Sequence, residues 1–147
     1  MARDAGLVLF ARAMVCRVAA HDRIARIATV FTFVSHLVDV PSAGRARDGA
    51  DALLALAGAE DGPAVILAAL LQALGERAHL EYTREMVFVR VRLEPADLLR
   101  LPPHAALVLK RGRRGGYLLP LDPRRARIPL GFLPRPVRQA LERRLSA

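Results

Sequence analysis

Cysteine occurs once in the 147 residues, at Cys16. No internal disulfide can form, and no cysteine-based zinc site can be built. No apolar run reaches the roughly 20 residues of a membrane-spanning helix. The N-terminal run Leu7 to Cys16 is broken by Arg12 and lacks the small residues of a cleavage site, so it does not read as a signal peptide. Together these absences predict a cytoplasmic protein without a membrane span. The histidines are His21, His36, His79 and His104, and no His-x-x-x-His or comparable ligand spacing occurs. A metal site is therefore not indicated, and no cofactor is expected. Gly112-Arg113-Arg114-Gly115-Gly116 lacks the Lys-Ser/Thr of a P-loop and does not lead into a helical pattern, so it reads as a hairpin turn. Lys110 is the single lysine, and only Tyr117 and Phe132 are aromatic among the basic residues that follow. That interleaving is too thin for a single-strand stacking platform.

What is present is apolar content and an uneven charge. The chain is 53% hydrophobic, which fits one domain with a real core over residues 1–147. Residues 1–99 hold 11 Lys and Arg against 12 Asp and Glu, a net of −1. Residues 100–147 hold 12 against Asp122 and Glu142, a net of +10. The Arg- and Ala-rich composition fits a GC-rich genome, but that does not account for the asymmetry. The excess sits at Arg111, Arg113, Arg114, Arg124, Arg125 and Arg127 and in a basic tail, 124–147. Such a cluster is either a solvated face or a surface for an acidic partner.

The periodicity predicts helices first. Residues 5–19 carry Leu7, Phe10, Ala11, Met14 and Val18 at helical spacing, with Cys16 read as a small core residue. Asp22 suits an N-cap, followed by a helix over 23–38 with Ile24, Ile27, Ala28, Phe31, Val34 and Val38 on its apolar stripe. Pro41-Ser42-Ala43-Gly44 breaks the chain, and Asp51 to Ala57 reads as a short helix. From Ala64 to Leu74 only Gln72 is polar, so this segment reads as the buried central helix, with Pro63 in its first turn and Gly75 as its stop. Glu60 and Asp61 ahead of it suit the positive end of the helix dipole.

After Gly75 the period becomes two. Ala78, Leu80 and Tyr82 alternate with Arg77, His79 and Glu81, which places His79 opposite Leu80 as an ordinary strand histidine. Met86 to Leu93 is a second strand, with Val87, Val89, Val91 and Leu93 on one face and Met86, Phe88, Arg90 and Arg92 on the other. Glu94 to His104 is a polar, proline-containing insert. Ala105 to Lys110 and Tyr117 to Leu121 read as a hairpin, and Val137 to Leu145 as a short terminal helix. Helices followed by an antiparallel sheet make an α+β domain.

Gly58-Ala59-Glu60-Asp61 and the Ala/Leu segment ending Leu74-Gly75 resemble the core helix of transglutaminase-like proteins, which share the papain-type thiol fold. Their helix opens Gly-Asp-Cys-x-Asp. Glu85-Met86-Val87-Phe88-Val89-Arg90-Val91 resembles the family's His-Ala-Trp-Val-Glu-Val strand, and Tyr117-Leu118-Leu119-Pro120-Leu121-Asp122-Pro123 its Trp-x-Pro-Leu-Asp-Pro strand. The resemblance covers about residues 20–130 and implies a core helix packed on an antiparallel sheet. By position the family's Cys, His and Asp fall on Glu60, Met86 and Asp122. A carboxylate does not replace a thiolate in acyl transfer, and a thioether cannot hold its proton. The resemblance therefore implies a degenerate, non-catalytic binding or assembly module. Its partner is expected to be an acidic protein at the six arginines, brought together by the hairpin. Two alternatives stand beside it. One is nucleic-acid binding through the basic third, since a degenerate domain of this type occurs in a family of DNA-damage recognition proteins. The other is an enzyme with rebuilt acid chemistry at Glu60 and Asp122.

Overall fold

The Asp22 carboxylate accepts a hydrogen bond from the Ala25 backbone N–H at 3.1 Å, the contact that starts helix α2, Arg23–Leu37. That bond, with the Arg100 guanidinium 3.2 Å away, holds the Asp22 carboxyl below its ordinary pKa. A carboxyl with a depressed folded pKa contributes stability that is fully present above the ordinary carboxylate pKa and is lost as pH falls through the depressed one. Asp22→Asn should keep the cap and flatten this acid-side loss, whereas Asp22→Ala should lose stability at neutral pH as well. Thermal midpoints measured between pH 7 and about pH 3 separate the two variants. Inside α2, Ile24, Ile27, Phe31 and Val34 of the expected stripe are buried, with Val30 and Ser35 beside them; Ala28 is only partly buried, and Val38 lies outside the described residues.

The computed structural model describes residues 5–37, 62–83, 87–106 and 109–123. Helix α1, Ala5–Met14, is five residues shorter than its periodicity suggests. The chain turns there, with Cys16 N–H on the Ala13 carbonyl at 3.4 Å and Val18 N–H on the Val15 carbonyl at 3.0 Å. The reversal into α2 uses these residues, and it turns Val15 inward and Cys16 outward. Cys16 is exposed rather than a core residue. Phe10 is also less buried than its place in the stripe implies: it is 40% exposed and meets Phe33 edge-to-face at 5.6 Å.

Helix α3, Gly62–Ala73, is the centre of the core. Ala64, Ile66, Leu67, Ala68, Leu70, Leu71 and Ala73 are buried, and the helix packs on α1, on α2 and on the sheet. It is not enclosed on every side: Val65 and Ala69 are half-exposed, and Gln72 reaches out to donate to the Ala78 carbonyl at 2.7 Å. Its end follows from Gly75, whose φ of 88° disfavours any side chain. Gly75 N–H bonds the Gln72 carbonyl at 2.9 Å and Glu76 N–H bonds the Leu71 carbonyl at 3.0 Å, a Schellman stop.

The sheet is antiparallel, in the order β1–β2–β4–β3, with β1 Ala78–Tyr82, β2 Val87–Leu93, β3 Lys110–Arg111 and β4 Tyr117–Leu121. Val87, Val89, Val91 and Leu93 are buried against the helices, which fixes the register of the central strand. The domain is α+β, with its described helices on one face of the sheet. Two expectations change here. Ala105 and Ala106 belong to a short helical turn, Pro103–Ala106, and not to a strand. Pro102 and Pro103 impose it, since proline favours a first helical turn and the Pro102 carbonyl accepts from Ala105 N–H at 3.0 Å. The hairpin's first strand is thus only the two residues of β3. The insert is not simply polar: it forms a 3-10 turn, Pro95–Arg100, and its Leu98 and Leu101 pack on the core. Phe88, on the face opposite the valines, is fully buried. Residues 51–57 and 137–145 lie outside the described residues. Among the described residues no helix is long and apolar enough to cross a membrane.

Candidate functional site

Asp122 follows β4 and is 1% exposed. The β2–β4 register continues to place it opposite Phe88, on the face away from the helices. Glu60 and Met86, the other two positions of the implied triad, lie outside the described residues, as do Arg124, Arg125 and Arg127. Among the described residues no group of three or more His, Cys, Asp and Glu side chains is arranged to hold a metal ion.

The basic hairpin is described from Leu109 to Pro123. Lys110, Arg111, Arg113 and Arg114 are all exposed, and no ion pair among the described residues engages them. The loop is built rather than loose. Gly112 N–H bonds the Gly116 carbonyl at 3.0 Å, and Gly115 N–H bonds the Gly112 carbonyl at 3.3 Å. Arg92 lies beneath it and donates from one terminal nitrogen to the Arg114 and Gly115 carbonyls at 3.1 and 3.2 Å. Its Nε is buried without a hydrogen-bond partner. A side chain at Gly116 would meet that Nε at 3.1 Å and the Leu93 carbonyl at 3.0 Å, and φ there is 71°. Glycine is required at this point by both space and backbone. Drawing the loop carbonyls down onto Arg92 leaves the arginine side chains at the tip facing solvent.

The two residues of β3 do not share one side of the sheet. Arg111 pairs with Tyr117, and Tyr117 with Leu93, so Arg111 ends a row on the helix-covered face. Lys110 pairs with Leu118, and Leu118 with Arg92, so Lys110 ends a row on the opposite face. The sequence candidates are all arginines and leave out Lys110, which is exposed beside them.

A second charged centre escaped the sequence altogether. Arg23 donates through Nε and a terminal nitrogen to Glu76, at 2.6 to 3.3 Å, and through the other terminal nitrogen to Asp97 at 2.8 Å. It also donates to the Arg92 carbonyl at 3.0 Å. Its hydrogen bond to Glu76 raises the Arg23 pKa against the opposing cost of burial, with the charges of Glu76, Asp97 and Glu94 adding to the rise. Asp97 in turn accepts from Glu94 N–H at 2.8 Å. This cluster joins α2, the end of α3, β2 and the 3-10 turn. Its cation is matched by two carboxylates, so it holds elements together and offers no free charge to a ligand.

No protein-family model, curated protein or solved structure matches the chain.

Proposed function

We propose that the protein is a non-catalytic, transglutaminase-like binding or assembly module that captures an acidic protein partner through its basic hairpin. The observation that carries this reading is the braced loop with four exposed cations, Lys110, Arg111, Arg113 and Arg114, that no described carboxylate pairs. Exposed guanidinium groups on a fixed turn suit bidentate pairing with carboxylates. An Ala/Leu-rich helix packed on an antiparallel sheet of helices-first order supports the transglutaminase-like part of the reading. Glu60 and Met86 at the positions of the nucleophile and base support the non-catalytic part, since neither can do the chemistry of a thiolate and its base. A single cysteine, exposed and unpaired, goes with a cytoplasmic setting.

The test is charge reversal at Arg113, Arg114, Arg124 and Arg125 together. Co-purification of the native partner should be lost while the thermal midpoint stays within a degree or two. Survival of the complex in this variant means that the hairpin is only a solvated face.

A further inference from the structure

Phe88 is 0% exposed, yet it stands outside the connected hydrophobic core that takes in Val87, Val89, Val91 and Leu93 from the same strand. Alternation along β2 turns it to the other face of the sheet. There it pairs with Glu81 on β1, and the continued β2–β4 register sets Asp122 on its other side. Asp122 and Pro120, which follow one another along β4 on that face, are buried too. The described helices join the core on the valine face. The hairpin loop closes on Arg92, four residues along β2 from Phe88 and about 14 Å away. Toward the β1 edge the face opens, with Arg77 and His79 exposed. A cover therefore lies over a patch centred on Phe88. The burial is found within a single chain, so the cover belongs to the chain itself.

We infer that residues 124–147 fold back over this outer face as an intramolecular strap, seating an apolar, arginine-bearing segment on Phe88, Pro120 and Asp122. Two stretches outside the described residues are long enough to be the cover, 38–61 and 124–147; residues 84–86 are taken up in joining β1 to β2. Charge separates the two. The row Glu81–Phe88–Asp122 is an aromatic ring flanked by two acids, and the buried Asp122 carboxylate has to be met by hydrogen-bond donors or a cation. Residues 38–61 carry five acids against Arg45 and Arg47, whereas 124–147 carry seven arginines against Glu142. The first stretch would set like charge on the row, and the second supplies the opposite sign. Connection points the same way. Residues 38–61 leave α2 and return to α3, both in the layer on the valine face, and would have to round the sheet edge twice. Residues 124–147 start at Pro123, already beside the patch. Apolar surface is also present: Val137, Leu141 and Leu145 share one stripe at helical spacing. A helix over 137–145 would be about 13 Å long, enough to lie along four residues of strand. The chain has to turn back after Pro123 to reach Pro120 and Phe88, so the contact falls to the part beyond Arg127. The inference is independent of the binding reading. It closes this face to a partner and leaves the exposed hairpin cations as they are.

Photo-crosslinking in the full chain tests the strap. The photoreactive amino acid p-benzoylphenylalanine is placed at position 88, at the centre of the patch, and in a second protein at position 81, on its rim. Position 88 keeps an aromatic ring but is enclosed, so the added ring can disturb the fold. Glu81 is half-buried, and replacing it removes only a 3.7 Å ion pair with Arg90. Thermal midpoints show whether each protein folds, and where position 88 is disturbed the rim position decides alone. After irradiation, mass spectrometry of digested monomer identifies the linked peptides. The expected result is intramolecular links to peptides from residues 128–147 at both positions, lost when the protein is irradiated in denaturant. Links to residues 38–61 overturn the inference and assign the cover to the α2–α3 connection. Links confined to the described strands and helices overturn it as well, since then no strap lies over the patch. A product of twice the chain mass, with no link inside the monomer, overturns it in favour of a second copy as the cover.

Discussion

Leu67→Ala, Leu70→Ala and Leu71→Ala should each lower the unfolding free energy by about 2–5 kcal/mol. All three side chains are 0% exposed, and the helix that carries them touches α1, α2, β1 and β2. Truncation removes apolar atoms from a site whose neighbours are fixed by the backbone of several elements, so the cavity cannot collapse fully. The same helix supplies a control. Val65 is half-exposed on the outward strip, and Val65→Ala should cost well under the leucine changes, about 1 kcal/mol or less. Urea unfolding measures both, and an unchanged slope would show that the unfolded reference has not moved. Shifts of only a few tenths at the leucines, or equal shifts at Val65, would mean that α3 is not the centre of the core. Domains of this size carry about 5–15 kcal/mol in total, so two of the leucine changes together should leave little folded protein.

Local signals were readable where one residue decides the outcome. Asp22 and Gly75 announce a start and a stop because a side-chain acceptor and a positive φ act within a single turn. The alternation of Val87 to Leu93 announces a buried face because a one-residue slip would put every valine in water. Where two local tendencies compete, the sequence alone does not decide. Ala105 to Lys110 alternates well enough for a strand, yet the prolines before it set a helical turn first. The end of α1 depends on where the chain must reverse to bring α2 back, and periodicity does not encode that.

The candidate site shows the same division. Arginine density around the hairpin is visible in the composition, and so is the turn chemistry of its glycines. That Arg111 and Lys110 fall on opposite faces is not, because it depends on which residue of β4 each one meets. The sheet order sets β4 between β2 and β3, and of its three pairings only β2 with β4 joins strands that are not consecutive in sequence. Arg92 looked like one more surface arginine of an alternating strand, but its partners are carbonyls 22 and 23 residues away. Register, set by the burial of the valine face, decides which cations share a side of the sheet.

Arg23→Met is the largest single electrostatic change expected in the described fold, at about 2–3 kcal/mol. Breaking a fully buried pair by removing one partner typically costs about 3–5 kcal/mol. The Arg23 side chain is 28% exposed, so solvent screening lowers the figure. The cost arises from what stays behind. Glu76 is 6% exposed at its side chain and is held in place by the Schellman turn that ends α3, so its carboxylate cannot swing out to water. Asp97, 13% exposed, is similarly held by its bond from Glu94 N–H. Removing the negative charge as well should therefore recover much of the loss: Arg23→Met with Glu76→Gln should be less destabilised than the sum of the two single variants, by about 1–3 kcal/mol. A double-mutant cycle in urea measures this coupling directly. Additive effects would show that Glu76 is well solvated without Arg23 and that the cluster is ornamental to stability. Because Arg23 has its pKa raised, its contribution is present at all pH values below the ordinary arginine range, so the cycle should give the same coupling at pH 6 and pH 9. The basic hairpin offers the contrast. Arg113 and Arg114 leave no buried carboxylate behind when they are reversed, and their loss should be felt by a partner and not by the fold.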